Sequence, residues 1–182
     1  MNKDIERILL TSEEISNMVK RLGEEISRDY SSTLIVIGIL KGGFIFMSDL
    51  VRCIDIDCCL DFMAVSSYGK STESTGVVKL IKDIDIDISG KDVLIVEDII
   101  DTGLTLSYLH KLLSDRGARS VKIAAAFDKP SRRKAEIKAD YIGITVPNEF
   151  IVGYGLDYND QYRNLPYVGI LKPKIYKNNN YF

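Results

Sequence analysis

The sequence contains very little histidine and cysteine, and this scarcity excludes several kinds of site. Its 182 residues include one histidine, His110, and three cysteines, Cys53, Cys58 and Cys59, none of which forms a CxxC pair. One histidine rules out multi-histidine metal centres and leaves little room for a Ser-His-Asp arrangement. An odd number of cysteines without pairing motifs is typical of free thiols in a reducing cytosol. Acid–base chemistry must therefore fall to carboxylates, lysines or tyrosines.

The sequence also lacks long apolar runs and a marked excess of charge. No stretch approaches the roughly 20 apolar residues of a membrane-spanning helix. The first residues, MNKDIERILLTSEEIS, mix acids and bases and have no signal-peptide pattern. The formal net charge is −2, so bulk charge does not favour nucleic acid. We expect a cytoplasmic protein of one domain that binds neither membrane nor nucleic acid.

Apolar strands that alternate with helical patterns predict an open, twisted, mostly parallel α/β sheet. Two short runs, TLIVIGIL and VLIVE, have the pattern of strands buried on both faces. Each is followed by a helical pattern, and a capping box formed by Thr11 and Glu14 opens an earlier helix. Strands are expected at Thr33–Leu40, Val93–Glu97, SVKIAAAF and YIGITV, and helices at 11–30, 44–52 and 104–118, with Gly117 as the last helix's stop.

Two segments, Ile54–Ser67 and Val77–Ile88, have a two-residue period instead. The second contains DIDIDI, which could suggest an acidic metal site. Its strict alternation favours a strand edge or a connection with one solvated face. His110 lies in LSYLHKLL and is interpreted as a surface residue of a helix, and the C-terminal KPKIYKNNNYF is interpreted as a loose tail.

Gly69-Lys70-Ser71 resembles the end of a Walker A motif, but the remainder of that motif is missing. Walker A needs a glycine five positions earlier, where this chain has Ala64. The segment that follows, TESTGVVKLI, has the pattern of a loop and then a strand, whereas a P-loop must open a helix. We therefore do not expect a nucleoside triphosphate site here.

Two other strand-to-helix turns have the composition of anion sites. Thr102–Thr105 joins VLIVEDII to a helix N-terminus, where free N–H groups and the helix dipole favour an anion. LKGG, at 40–43, makes a similar turn with a lysine and two glycines. Ligands of open α/β sheets bind at the carboxyl ends of the strands, so both turns should lie at the same edge.

Three carboxylates, Glu97, Asp98 and Asp101, stand directly before the threonine-rich turn. Carboxylates beside a bound phosphate are unfavourable unless sugar hydroxyls or a divalent cation lie between them. A sugar that carries two separate phosphate groups meets this description. Its hydroxyls would contact the acids, and its phosphates would occupy the two turns.

The stretch VLIVEDIIDTGLTL resembles the signature of type I phosphoribosyltransferases, and the chain as a whole resembles their hypoxanthine-guanine branch. The motifs LKGGFIF, SSYGKSTESTG, DKP and VPNEFIVGYGLDYNDQYRNLPYVG extend the resemblance over nearly the whole chain. It implies the type I phosphoribosyltransferase fold, with a core sheet, flanking helices and a small hood from the chain ends. It also implies transfer of the phosphoribosyl group from phosphoribosyl pyrophosphate to hypoxanthine or guanine, with Mg²⁺ as cofactor, in a homodimer or homotetramer.

The same resemblance implies roles for individual residues. Asp101 would be the general base that takes a proton from the purine. Some relatives carry a lysine in place of Leu104, so phosphate binding here would rest more on amides and hydroxyls. The 5'-phosphate and ribose would bind to Glu97, Asp98, Asp101, Thr102, Gly103, Leu104 and Thr105.

The resemblance also implies the other contacts of the substrates and the metal. Pyrophosphate would bind to Leu40, Lys41, Gly42 and Arg163, with a cis peptide at Leu40–Lys41. The purine would bind to Ile99, Lys129, Phe150, Ile151 and Asp157, and magnesium to Glu97, Asp98 and Asp157. A mobile lid at about 66–77 would include Ser67 and Tyr68.

Some of these residues have plainer alternatives. Asp101 could be only a helix N-cap, and Asp157 only a turn residue in LDYND. Phe150 could belong to the core, and Arg163 could be a solvated surface charge. Lys129 fits its implied role on its own chemistry, because an ammonium donates to a carbonyl oxygen and so favours 6-oxopurines over adenine.

A different class of protein would be a regulator with this fold that senses phosphoribosyl pyrophosphate and binds nucleic acid. Such a protein would keep the EDIIDTG stretch but would need a basic face or an added winged helix. The chain offers only one dense basic run, SRRK at 131–134. A regulator would also have no use for the purine-reading set of Lys129, Phe150 and Asp157.

Overall fold

The computed structural model describes residues 2–67 and 78–176, which form nine strands and four α-helices. The strands are β1 (Ile5–Leu10), β2 (Leu34–Leu40), β3 (Cys58–Ser67), β4 (Val78–Lys82), β5 (Asp92–Ile100), β6 (Ser120–Asp128), β7 (Tyr141–Thr145), β8 (Ile151–Val152) and β9 (Val168–Leu171). The helices are α1 (Ser12–Asp29), α2 (Gly43–Leu50), α3 (Leu104–Asp115) and α4 (Pro173–Tyr176).

Six strands form one sheet in the order β4-β3-β2-β5-β6-β7. All neighbouring pairs are parallel except β3 and β4, which are antiparallel. The prediction of a mostly parallel α/β sheet is therefore confirmed. Its two central strands are the apolar runs that the sequence indicated, because only strands covered on both faces bury every side chain.

Alternate residues of the central strands pack on opposite faces of the sheet. Leu94 and Val96 of β5 join a core with apolar residues of α1 and α2. Val93 and Ile95 pack instead with Leu109 and other apolar residues of α3. This two-residue period places α1 and α2 on one face and α3 on the other, with the loops that follow β2 and β5 at the same edge.

Helix α1 begins at the predicted capping box. The Thr11 hydroxyl accepts the Glu14 N–H at 3.2 Å, and the Glu14 carboxylate accepts the Thr11 N–H at 2.8 Å. Its apolar face is buried as predicted, with Ile15, Met18, Val19, Leu22 and Ile26 in the core.

The two chain ends build a second, three-stranded antiparallel sheet in the order β1-β9-β8. Ile5 of β1 lies opposite Leu171 of β9, and both side chains are fully buried in a small separate core with Val152. This sheet corresponds to the hood that the family resemblance implied. It stands beyond the carboxyl ends of the parallel strands because the segment 147–167 returns across that edge.

Several predicted boundaries are wrong. The strand VLIVE does not stop at Glu97 but continues to Ile100, because Ile99 and Ile100 keep pairing with Phe127 and Asp128 of β6. Two of the three carboxylates therefore belong to the strand itself. The helix expected at 44–52 ends at Leu50 and passes into a 3₁₀ turn at 51–53, and β3 begins at 58 rather than 54.

DIDIDI is a connection rather than a strand, since β4 ends at Lys82. The buried Asp61 carboxylate of β3 accepts the backbone N–H groups of Asp85 at 2.7 Å and Ile86 at 3.2 Å. These bonds hold the connection against the sheet edge. The acids of this run serve the fold, as expected, and Ile88 is buried.

Two further interpretations need correction. His110 is half-buried rather than a surface residue, and its Nε2 lies 3.1 Å from the Val121 carbonyl oxygen. The beginning of the expected tail is helix α4, whose Tyr176 packs on Phe150. In the described ranges, 2–67 and 78–176, there is no helix with the length and apolarity needed to cross a membrane.

Candidate active site

The turns that follow β2 and β5 face each other across a cleft of about 260 Å³. A second cleft of about 310 Å³ lies beside it, under the 147–157 segment. The two clefts share Asp98, Ile99 and Asp101, so they form one continuous groove. The first is lined by Ile39, Leu40, Lys41, Gly42, Val65, Glu97, Ile100, Thr102, Gly103, Thr105 and Leu106, and the second by Lys129, Arg132, Phe150, Ile151, Leu156 and Asp157.

Glu97 and Asp98 are consecutive acids at the floor of this groove. The Asp98 carboxylate accepts the Ile99 N–H at 2.7 Å. Burial and the neighbouring charge of Asp98 raise the pKa of Glu97 well above its ordinary value of 4.5. Burial also raises the pKa of Asp98. Two adjacent carboxylates, with Asp98 buried and Glu97 half-buried, favour a bound cation or hydroxyl donors, which would offset the cost of their charge.

The LKGG turn presses directly on this acidic pair. A Cβ atom built on Gly42 would lie 1.6 Å from Asp98 Oδ2, and one built on Gly155 would lie 2.5 Å from the Gly42 carbonyl oxygen. Only glycine permits this approach of two backbone segments around a carboxylate. The peptide bond between Leu40 and Lys41 is cis, as the resemblance implied.

The threonine-rich turn leads into α3 through Gly103. Gly103 is the N-cap residue, with φ of 78°, a left-handed conformation that favours glycine. Leu104 N–H approaches the Thr102 hydroxyl at 3.5 Å. The alternative that Asp101 is simply the N-cap is wrong, because the cap lies two residues further on. Asp101 therefore does not cap this helix.

A residue that sequence reasoning missed, Arg133, supports this turn from behind. Its guanidinium donates to the carbonyl oxygens of Asp101 at 3.1 Å and Ile137 at 2.6 Å and pairs with the Asp128 carboxylate. Its side chain is 18% exposed. Arg133 therefore ties the end of β6 to the turn after β5. No sequence motif indicated it, because its bond to the Asp101 carbonyl oxygen joins residues 32 positions apart in the chain.

Arg132, which sequence reasoning treated only as part of a basic run, faces the groove itself. Its Nε lies 3.2 Å from Asp101 Oδ1. In the described part of the chain, Asp101 Oδ1 is buried and has no aligned hydrogen-bond partner. The ion pair therefore holds the enclosed oxygen by charge, and the rest of the Asp101 side chain, which is 36% exposed, remains open to the groove.

The second cleft brings together the residues predicted to read a purine. Lys129 is only 6% exposed, and its Nζ donates to the Glu149 carbonyl oxygen at 2.8 Å. Burial lowers the pKa of Lys129. The bond to Glu149 uses one of three ammonium hydrogens, so two remain for a ligand.

Phe150 lines the same cleft and is held by two tyrosines. The Tyr176 ring stacks on it with centroids 4.8 Å apart, and the Tyr158 ring meets it edge-on at 5.6 Å. Tyr176 is absent from the lining of the cleft. Phe150 is therefore part of the small hood core and also a wall of the cleft, so the two interpretations of this residue are both correct in part.

The predicted pyrophosphate cations converge on an acid that sequence reasoning missed, Asp160. Lys41 Nζ lies 2.8 Å and Arg163 Nη2 lies 3.5 Å from Asp160 Oδ1. Arg163 also pairs with Asp157 at 2.8 Å and donates to the Gly155 carbonyl oxygen at 2.7 Å. Arg163 is thus not a solvated surface charge. Asp157 accepts the Asp160 N–H at 2.9 Å, so it does serve its turn as well.

The predicted metal ligands Glu97, Asp98 and Asp157 do not form a ready-made metal cage. Across residues 2–67 and 78–176, no group of three or more His, Cys, Asp or Glu side chains is arranged to hold a metal ion. The adjacent oxygens of Glu97 and Asp98 nevertheless fit Mg²⁺, which commonly takes one or two carboxylates and completes its shell with substrate and water oxygens.

The predicted lid lies almost entirely outside the described residues. Tyr68 is not described, and Ser67 is described only as the last residue of β3. The strand expected after the lid is present as β4, Val78–Lys82, and Gly69-Lys70-Ser71 lies outside the described residues.

Comparison with known proteins identifies the family. Residues 8–159 match the model of the phosphoribosyl transferase domain. A hypoxanthine-guanine phosphoribosyltransferase of Bacillus subtilis (strain 168) is 56% identical over 178 residues, which are 97% of this chain and 99% of that protein. A crystal structure of a Staphylococcus aureus hypoxanthine phosphoribosyltransferase is 52% identical, covers 95% of each chain and superposes with a TM-score of 0.93. The chain therefore belongs to the phosphoribosyl transferase family, and it has that family's type I fold.

Proposed function

We propose that this protein transfers the 5-phosphoribosyl group from phosphoribosyl pyrophosphate to hypoxanthine or guanine, which yields IMP or GMP and pyrophosphate. The observation that carries this proposal is the shape of the groove. One half is flanked by two anion-binding turns, the other half is a purine-sized cleft, and both halves share Asp98, Ile99 and Asp101. A sugar held on the shared residues would face a phosphate on one side and a base on the other.

The relatives support this choice of substrates. The Bacillus subtilis and Staphylococcus aureus proteins are both hypoxanthine-guanine phosphoribosyltransferases, at 56% and 52% identity over nearly their full lengths. Every residue for which we infer a role in binding or chemistry, except the lid pair, lies on the groove or next to a residue that lines it. The enzyme is then a pentosyltransferase of purine salvage.

The sugar and its phosphates would occupy the first half of the groove. The 5'-phosphate would accept hydrogen bonds from the turn that contains Thr102, Gly103, Leu104 and Thr105, at the N-terminus of α3. The ribose hydroxyls would donate to Glu97 and Asp98. Pyrophosphate would lie on Leu40, Lys41, Gly42 and Arg163, where its negative charge would compete with Asp160 for the two cations.

Glu97 and Asp98, with Asp157 nearby, are the residues that would hold Mg²⁺. When bound, this ion supplies positive charge that stabilises the pyrophosphate as it leaves. The protein's own contribution is to orient the reactants and exclude water, which would otherwise hydrolyse the sugar donor. A lid that contains Ser67 and Tyr68 would complete this exclusion when both substrates are bound.

Asp101 would act on the purine. As the imidazole nitrogen of the base forms its bond to C1', the C1'–O bond to pyrophosphate breaks, and pyrophosphate leaves with the electron pair of that bond. The purine then has one proton too many on its imidazole ring, and the Asp101 carboxylate would accept it. Asp101 lines both halves of the groove and its side chain is 36% exposed there, which supports this role.

Lys129, Phe150 and main-chain groups near Ile99 and Ile151 would read the base. The ammonium of Lys129 would donate to the 6-oxo group, and the Phe150 ring would stack on the purine face. Adenine carries an amino group at that position, so it would give no acceptor to the ammonium hydrogens that Glu149 does not bind.

The regulator hypothesis loses its main support. Of the basic run at 131–134, Arg132 pairs with Asp101 and Arg133 pairs with Asp128, so both of these charges already have an acidic partner within the protein.

We further infer a cytoplasmic homodimer or homotetramer. Exposed apolar side chains on neighbouring parts of the sheet edge and α2 support self-association, with Leu60 47% and Phe44 48% exposed.

The experiment that tests the function is direct product analysis. The purified protein is incubated with phosphoribosyl pyrophosphate, Mg²⁺ and one of four bases: hypoxanthine, guanine, xanthine or adenine. We expect IMP and GMP, formed with equimolar pyrophosphate and abolished by EDTA. Absence of nucleotide from both hypoxanthine and guanine would contradict the proposal.

A further inference from the structure

Arg132 stands at a place where a cation has no obvious structural task. It follows Lys129 and Pro130 in a short 3₁₀ turn after β6, and its side chain is 54% exposed. The turn is already anchored by the neighbouring Arg133, which binds the backbone of β5 and its following turn. Arg132 adds no backbone contact of this kind, so its side chain needs another explanation.

The side chain lines the purine half of the groove and reaches the acid that both halves share. Its Nε lies 3.2 Å from Asp101 Oδ1, and the Asp101 side chain is 36% exposed. That oxygen is buried and has no aligned hydrogen bond within the residues that the structure describes. Lys129, the second cation of the cleft, also contributes positive charge around Asp101.

This arrangement restricts the carboxylate without consuming it. A full hydrogen bond from a guanidinium would occupy the lone pairs that must accept the purine proton. A close but unaligned cation attracts the enclosed Oδ1 electrostatically and limits the rotamers of the carboxylate, while the rest of the side chain, which is 36% exposed, stays open to the groove. Precise placement matters because displacement of a reacting group by about 1 Å can cost on the order of 10²-fold in rate.

We propose that Arg132 is a positioning residue that holds the Asp101 carboxylate toward the purine. The inference rests on the proposed function, because it assigns Arg132 to the step in which Asp101 receives the proton. Arg132 itself neither accepts a proton nor needs to touch the substrate. Its effect on the rate must therefore pass through Asp101.

The test is a double-mutant cycle read by single-turnover kinetics with hypoxanthine. We expect Arg132→Gln to lower the single-turnover rate constant by on the order of tenfold, with an unchanged melting temperature. In the Asp101→Asn background the same substitution should change the rate less than twofold, because the carboxylate that it positions is gone. Arg132→Lys keeps a cation at this place and should recover most of the loss.

A matched control is available at the opposite end of the same strand. Arg119 is 57% exposed and pairs with Asp92 at the start of β5, far from the groove. Arg119→Gln should leave the single-turnover rate unchanged. This control separates a general effect of losing an exposed arginine from an effect at Asp101.

The outcomes distinguish this inference from the function on which it rests. A loss of equal size in the wild-type and Asp101→Asn backgrounds would overturn the inference, because Arg132 would then act on the substrate or the fold. Failure of Arg132→Lys to exceed Arg132→Gln would also overturn it. If the wild type forms no IMP at all, the proposed function itself is contradicted, whatever the Arg132 variants do.

Discussion

A Cβ atom on Gly42 would lie 1.6 Å from Oδ2 of Asp98, so the turn after β2 and the acid of β5 can coexist only if residue 42 is glycine. This relationship holds the turn after β2 against β5, so that this turn and the threonine-rich turn line one cleft. The Gly42 backbone carries the proposed pyrophosphate contacts, and Asp98 carries the proposed contacts to ribose and magnesium. Displacement of either residue should therefore disturb both functions.

We predict that Gly42→Ala lowers kcat/KM for phosphoribosyl pyrophosphate by on the order of 10²-fold, because the methyl group must move the turn or the carboxylate. The protein should still fold, with a loss of about 1–3 kcal/mol that is typical of overpacking. Gly90→Ala is the control. Gly90 has φ of 69°, and a Cβ atom added there would have no other atom within 4 Å, so this variant should lose stability but keep its activity.

The acidic pair also predicts how stability depends on pH. Burial and the charge of Asp98 raise the pKa of Glu97 in the folded protein, so the folded state holds that proton more tightly than the unfolded chain. The resulting stabilisation is complete below the ordinary value of 4.5 and is lost as the pH rises through the raised pKa. The acidic pair therefore destabilises the ligand-free protein at neutral pH relative to acidic pH.

Glu97→Gln should remove that cost. Without ligand and with EDTA, we expect its melting temperature at pH 7.5 to exceed that of the wild type by ~2–4 °C, which corresponds to about 1 kcal/mol. The difference should vanish near pH 4. Glu24→Gln, which changes an exposed acid of α1, should shift the melting temperature by the same small amount at pH 7.5 and near pH 4. A pH-independent effect of Glu97→Gln would contradict the account of the pair.

The buried ammonium of Lys129 predicts the choice of base. A site built to satisfy a hydrogen bond rejects an analogue that lacks it, so kcat/KM for hypoxanthine should exceed that for adenine by ~10⁴. Lys129→Met should reduce this ratio by at least ~10², mainly through poorer use of hypoxanthine. Lys138→Met, at an exposed position outside the groove, should leave the ratio unchanged. Comparable values for the two bases in the wild type would refute the role of Lys129.

Arg132 and Arg133 are adjacent in the chain, but we expect Arg133 to stabilise the fold and Arg132 to position Asp101. Arg133 is half-buried, pairs with Asp128 and donates to the carbonyl oxygens of Asp101 and Ile137. We expect Arg133→Met to lower the free energy of unfolding by about 1–3 kcal/mol, since it removes these charge-assisted hydrogen bonds. Arg132→Met removes a more exposed side chain and should change the free energy of unfolding by less than about 0.5 kcal/mol. Urea denaturation measures both values, and similar losses would contradict the distinct tasks of the two residues.

The central fold was predictable because its strands and helices follow simple periodicities. The apolar runs of β2 and β5, the capping box of α1 and the stop at Gly117 each depend on local chemistry. The end of β5 was not predictable in this way. Glu97 and Asp98 interrupt the apolar pattern, yet pairing with β6 continues the strand as far as Ile100.

The site was predictable only where a motif marks it. The acids and the threonine-rich turn form a continuous signature, and the structure places them on one groove with Lys129 and Phe150. Arg132, Arg133 and Asp160 were missed because each has a partner from a distant part of the chain, which is Asp101 for the two arginines and Lys41 for Asp160. Nothing in the local sequence distinguishes a surface arginine from one that the register of β5 and β6 brings against Asp101.

The measurement that tests the account most directly is the single-turnover rate constant of Asp101→Asn with hypoxanthine. Gly103 caps α3, so an amide at position 101 should leave the fold intact, and the melting temperature and the affinity for phosphoribosyl pyrophosphate should match those of the wild type. An amide cannot accept the purine proton, so we predict that the rate constant falls by ~10²–10⁴. An unchanged rate constant would contradict the assignment of Asp101 as the base. It would also contradict the separate roles proposed for Glu97 and Asp98 in β5 and for Asp101 directly after it.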